Sequence, residues 1–128
     1  MAQSSLNRNS REIYDDKAGI IIVNDLGDIV GGRSLDVSNV ASGTTVIEAG
    51  WVIKKTSAGE YAPLGLSGTS YASLSEGESY VGILKKSVLV ADPRAAILTI
   101  GQVNAAACPV AITSTIASGL PRIEFLNL

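Results

Sequence analysis

The sequence predicts a mainly β domain with one short helix. From Gly19 onward, short aliphatic runs are separated by turn residues, the spacing of an all-β chain. Residues 95–103 are almost continuously apolar, as in a strand covered on both faces. One segment, 110–119, places Ile112 and Ile116 four apart on a single helical face. A chain of 128 residues has the length of one domain.

Taken in order, residues 1–18 stand apart. They hold two large aliphatics (Leu6, Ile13) and one aromatic (Tyr14) among polar and charged residues. Such a segment cannot bury enough apolar surface to offset the entropy of ordering. It is expected to be a flexible N-terminal arm, either a frayed end or a binding arm, with residues 19–128 forming the β-rich domain. The domain begins with a buried strand at 20–23, a turn over 24–28 and the pair Gly31-Gly32. LDVSNV supplies a possible second strand, and TTVIEAGWVIKKT gives a strand on each side of Ala49-Gly50. TSAG then turns the chain into EYAPLGL as a hairpin, with Gly59 providing positive φ.

A further strand is expected at 80–84. Beyond it, SVLVADPRAAILTIGQV reads as two aliphatic strands about an Ala91-Asp92-Pro93-Arg94 turn, with Pro93 presetting φ at the first central position. The helix follows Cys108-Pro109, is capped by Gly119 and stops at Pro121. RIEFLNL alternates as the last strand.

Composition removes most chemistry. There is no histidine, hence neither the usual general base near neutral pH nor the usual zinc ligand. The one cysteine, Cys108, has no cation or histidine beside it in sequence and reads as a small buried hydrophobe. Asp15-Asp16 and Glu76/Glu78 read as solvated charges, and Gly31-Gly32-Arg33-Ser34 lacks the features of a phosphate loop. The sequence thus predicts a non-enzyme with no catalytic residue, metal, cofactor or small-molecule substrate. The net charge is −2, and Lys54-Lys55 and Lys85-Lys86 are isolated pairs read as solvated strand ends, so no nucleic-acid contact is expected. No window is apolar enough for a membrane helix, and the polar start predicts no signal peptide. Aromatics are 5%, so the core is built from small aliphatics, which favours added burial by self-association.

From Ala49 onward the order AGWVIKKTSAGEYAPLG, YVGILKKSV, AILTIGQVNAAACP, IASGLPRIEFL resembles the lambda-like bacteriophage head decoration proteins. Val81-Gly82-Ile83-Leu84 matches the family's VGIL strand, and Gly101-Gln102-Val103-Asn104 its Gly-x-Val element. Residues 112–119 fall where the helix belongs, and 120–128 where the last strand belongs. The likeness covers about the last 80 residues. It implies a β-tulip-like domain, a homotrimer on the outer capsid surface of a virion. That trimer cements major capsid protein subunits against internal pressure after synthesis in the host cytoplasm. It further implies an arm that adds a strand to the capsid protein, with Leu6, Arg8, Arg11, Ile13 and Tyr14 as candidate contacts.

Candidate packing or trimer residues are Trp51, Val81, Gly82, Ile83, Leu84, Gly101 and Val103. Trp51 reads as a core anchor before a ligand platform, and Gly82 as a strand kink before a close contact at a trimer axis. The alternative function is a phage head-fibre or receptor- or glycan-binding surface module.

Overall fold

Strand β9 (Arg94–Asn104) is the hub of the fold, because three other strands hydrogen-bond to it. The computed structural model describes residues 20–128; the arm expected over 1–18, with Leu6, Arg8, Arg11, Ile13 and Tyr14, lies outside the described residues. The remaining strands are β1 (Ile22–Ser34), β2 (Val46–Ile47), β3 (Val52–Lys55), β4 (Tyr61–Pro63), β5 (Leu66–Ser67), β6 (Ser70–Tyr71), β7 (Ser79–Leu84), β8 (Val88–Leu89) and β10 (Ile123–Leu126). The short helix α1 (Ser114–Gly119) precedes β10. The main sheet runs β1-β9-β7-β3-β4, with β10 also on β9; β2-β8 and β5-β6 form small ribbons. The protein is mainly β with one short helix in a single small domain, as the sequence predicts.

β1 lies antiparallel along one edge of β9. The other edge is shared end to end. β7 pairs through Ile83↔Leu98 and Leu84↔Ile97, and β10 runs parallel through Ile123↔Gly101 to Leu126↔Asn104. The handover falls next to two tight backbone approaches. An added Cβ at Gly82 would overlap the Leu98 carbonyl oxygen, and one at Gly101 the Asn24 carbonyl oxygen. Both positions are closed to any side chain.

Adjacent aliphatics in β3, β7 and β9 point to opposite faces, so each dipeptide serves two cores. Val52, Ile83 and Leu98 lie opposite one another across three strands and enter the larger core with Ile21, Val103, Ile116 and Ile123. Ile53, Leu84 and Ile97 enter the smaller core with Leu35, Ile47 and Ala95. Full burial of each such side chain contributes ~1.5–3 kcal/mol. The sheet is therefore held from both sides by small aliphatics.

Several sequence expectations change. The chain is helical at 20–21, and β1 begins at Ile22; Ile21 is fully buried but Val23 is exposed. Residues 24–28 are part of β1 rather than a turn, with register shifts absorbing the Asn, Asp and Gly residues. LDVSNV is loop, not strand. The Asp36 carboxylate accepts the Ser38 N–H at 3.0 Å and bends the chain there, while Leu35 is buried and Val37 and Val40 pack on the smaller core. The turn before β9 is centred on Val90-Ala91, with a Leu89↔Asp92 bridge, so Pro93 follows the turn. β8 pairs with β2, not with β9.

Other expectations hold. Strands flank Ala49-Gly50, and Gly59 closes the β3–β4 hairpin at φ +90°. Helix α1 forms but is shorter than expected: the Thr113 hydroxyl accepts the Ile116 N–H and caps it, which leaves Ile112 outside the helix instead of on one face with Ile116. Gly119 is its last residue rather than a left-handed cap, and glycine is needed because the Tyr80 ring lies against it. In β9, Ala95, Ile97, Leu98, Gly101 and Val103 are buried and the residues between are half-buried, so coverage of the second face is partial.

Gly82→Ala forces its new methyl into a backbone oxygen that the β7–β9 ladder holds in place. The expected loss is on the order of 3 kcal/mol or more, read from the urea midpoint. A midpoint matching the wild type would show that the two strands can separate at little cost.

Candidate functional site

The sequence-selected residues divide sharply by position. Ile83, Leu84 and Val103 have no exposed surface, and Gly82 and Gly101 are buried in the sheet. Val81, left over by the register shift between Ile53 and Lys54, is half-buried over the smaller core. Packing within the chain accounts for all six. Trp51 differs. It touches both cores, its indole N–H donates to the Leu64 carbonyl at 2.8 Å, and its ring meets Tyr71 edge-on at 5.6 Å and 87°. Its remaining surface lines an open groove.

That groove encloses about 460 Å³ between the 36–48 segment and the β3–β4 hairpin. Leu64 and Trp51 contribute to its apolar wall, and Val46 and Leu66 line it while remaining exposed. Its charged lining is Asp36, Glu48, Glu78 and Lys54. Lys54 and Glu78 pair at 2.9 Å, and Glu78 also accepts the Ser75 N–H. These contacts, Lys54 foremost, hold the Glu78 carboxyl below the usual range. Bonds from Ser38 do the same for Asp36. With three carboxylates against one ammonium, the lining is net acidic.

Tyr71 supports the wall from behind. Its hydroxyl accepts the buried Val52 N–H at 3.1 Å, and burial pushes its ionisation well above the usual phenol range. The tyrosine is a fixed neutral acceptor for β3. Burial also pushes Cys108 up to about 11, leaving a protonated thiol.

A second feature is the outer edge of β1, which pairs only with β9 among the described residues. Val23 is exposed there, Leu26 is 66% exposed, and Ile20, just before the strand, is exposed as well. The cross-strand pair Val46↔Leu89 likewise faces solvent at 42% and 56%. Sequence reasoning missed these residues because Asn24, Asp25, Gly27 and Asp28 suggested a turn. Reading Val23 and Leu26 as flanking a bulged strand would have found them.

It also read Glu78, Lys54 and Lys85 as solvated, whereas all three are in ion pairs. Lys85 bridges Asp25 at 2.5 Å and also pairs with Asp28, fastening the β7–β8 connection to β1. Its hydrogen bonds to Asp25 and then Asp28 raise the Lys85 pKa, and Lys85 chiefly lowers that of Asp28.

Among the described residues no group of three or more His, Cys, Asp or Glu could hold a metal ion. Nor is any helix there long and apolar enough to cross a membrane. No protein-family model, curated protein or solved structure matches the chain.

Tyr71→Phe leaves the Val52 N–H buried without its acceptor, an expected loss of ~1–3 kcal/mol by chemical denaturation. An unchanged midpoint would mean that β3 does not need this bond. The Lys85 cluster sets a pH window. The depressed Asp28 pKa gives stability that is present above its unfolded value and lost as pH falls below about 4. The raised Lys85 pKa gives stability that is present below about pH 10.4 and lost as pH rises through the folded value. Melting temperature should therefore be flat between these limits, and Asp28→Asn should blunt the acid limb. An acid limb unaffected by that change would place the titration elsewhere.

Proposed function

We propose that this chain is a phage capsid decoration protein, a β-tulip-like homotrimer on the capsid exterior that cements neighbouring major capsid subunits. The observation that carries the reading is the exposed apolar edge of β1. Val23 and Leu26 are exposed on that strand, and Ile20 is exposed just before it. An exposed apolar strand edge of this kind is suited to association. The order of sequence motifs in the last 80 or so residues adds the specific identity.

The mechanism is strand addition by the N-terminal segment. Backbone hydrogen bonds to the capsid protein give affinity, while Leu6, Ile13 and Tyr14 fill pockets and Arg8 and Arg11 set orientation. Ordering each segment costs entropy, and a trimer offsets that cost by presenting three at high effective concentration. Nucleic acid, membrane and small-molecule substrates have no part in it. The alternative, a head-fibre or glycan-binding module, draws on the groove beside Trp51. It has less support, since Trp51 and Tyr71 are engaged with each other and with the backbone.

Removal of residues 1–18 should leave a folded protein with the scattering mass of three chains that no longer binds expanded capsids. Undiminished binding would overturn the role of the arm, and a single-chain mass for the intact protein at micromolar concentration would overturn the trimer.

A further inference from the structure

The groove beside Trp51 joins an apolar wall to a surplus of negative charge. Three carboxylates line it, Asp36, Glu48 and Glu78, with a single ammonium, Lys54. Lys54 is committed to Glu78, so the charge of Asp36 and Glu48 is left over. Asp36 accepts the Ser38 N–H, whereas the exposed Glu48 carboxylate has no hydrogen-bond or ion-pair partner among the described residues. Aliphatic groups also gather at the mouth. Val46 and Leu66 line the groove, and Leu89, paired with Val46 across the β2–β8 ribbon, carries the apolar surface past it. These are three of the seven large hydrophobics exposed among the described residues. A small molecule in the groove would leave Leu89 in water, while a protein surface would cover it as well.

How such a partner is read follows from β4, the last strand of the main sheet. Adding a strand requires backbone donors and acceptors along an open edge. In β4, Pro63 has no N–H to donate, and the Tyr61 carbonyl already accepts the Asp36 N–H at 2.7 Å. The edge beside the groove is therefore closed to a further strand, and recognition falls to side chains. Surplus carboxylate next to an aromatic and aliphatic wall is complementary to a side chain with an apolar stem and a cationic head.

We propose that this groove receives an arginine from an exposed loop of a partner protein. The arginine stem lies along Trp51 and Leu66, its guanidinium reaches Glu48 and Asp36, and an aliphatic neighbour in the same loop covers Val46 and Leu89. Arginine suits the site better than lysine, because its planar fork can bond both oxygens of a carboxylate and it is less strongly hydrated. A volume of about 460 Å³ admits that side chain with the backbone that carries it. The charge contacts lie in an open groove and weaken with salt, whereas the apolar contact persists. This inference does not rest on the capsid reading.

The test uses the full-length protein, the blocked dipeptide acetyl-Leu-Arg-amide as probe, and Trp51, the sole tryptophan, as reporter. At low salt the peptide should change Trp51 emission saturably, with half-saturation on the order of millimolar. The neutral isostere acetyl-Leu-citrulline-amide should need about fivefold more, and so should the arginine peptide with Glu48→Gln, each having lost one exposed charge pair. Raising the salt should narrow both differences. Methylating the peptide nitrogens should change little, since no strand is formed. Circular dichroism checks that Glu48→Gln is folded. A saturable response that discriminates charge on both sides supports the assignment. No saturable response, or one indifferent to citrulline or to Glu48→Gln, would overturn it. Loss of binding on methylation would return recognition to the backbone and overturn it too. Emission that shifts with protein concentration alone, as the scattering mass grows, would instead assign the groove to a second copy of this chain. None of these readouts involves capsids, so failure here leaves the proposed function standing, and failure of capsid binding leaves this standing.

Discussion

Everything in this fold depends on β9 being able to serve β1, β7 and β10 at once. A strand has two hydrogen-bonding edges, so a third partner requires that one edge be divided. β7 takes the segment around Ile97 and Leu98, β10 takes Gly101 to Asn104, and the chain must pass from one to the other without a gap in packing. Backbone approaches that no side chain would allow, at Gly82 against Leu98 and at Gly101 against Asn24, make this possible. With those approaches in place, Val52, Ile83 and Leu98 fall opposite one another and the larger core follows. Without them the sheet would splay where its two halves join.

The division of β9 also explains why a core poor in aromatics is adequate. Each of β3, β7 and β9 commits neighbouring aliphatics to both faces, so one sheet supports two cores. The covering layers are loops, ribbons and a two-turn helix rather than a second large sheet. Polar fastenings tie these covers down at the margins: Lys85 to Asp25 and Asp28, Lys54 to Glu78, and the Trp51 indole to the Leu64 carbonyl. Individual surface pairs of this kind are worth little, but each links segments distant in sequence.

Much of this could be read from the sequence where local and tertiary preferences coincide. The aliphatic pairs of β3, β7 and β9 and the Gly59 hairpin signal elements that form, whereas Ile112, expected on the helical face with Ile116, lies before the Thr113 cap and outside the helix. The misreadings share a cause. Asn24, Asp25, Gly27 and Asp28 have turn propensity, yet pairing with β9 overrides it and register shifts take up the misfit. Asp92-Pro93 carries a turn signature, but the bend forms two residues earlier, where Leu89 bridges to Asp92. Gly119 was legible as a helix end and not as space for Tyr80, because that neighbour is 39 positions away. The groove was illegible for the same reason, its walls coming from segments that only the β3–β4 and β2–β8 pairings bring together.

The two apolar surfaces left open adjoin the place where the N-terminal segment enters the domain. The β1 edge starts at Ile22, and the groove wall begins one residue from Gly50, against which Ile21 packs. Both surfaces rest on backbone fixed from within the chain, β1 by its ladder to β9 and the groove wall by the β3–β4 ladder and the Trp51–Leu64 bond, so their exposure is set by the same pairings that build the two cores.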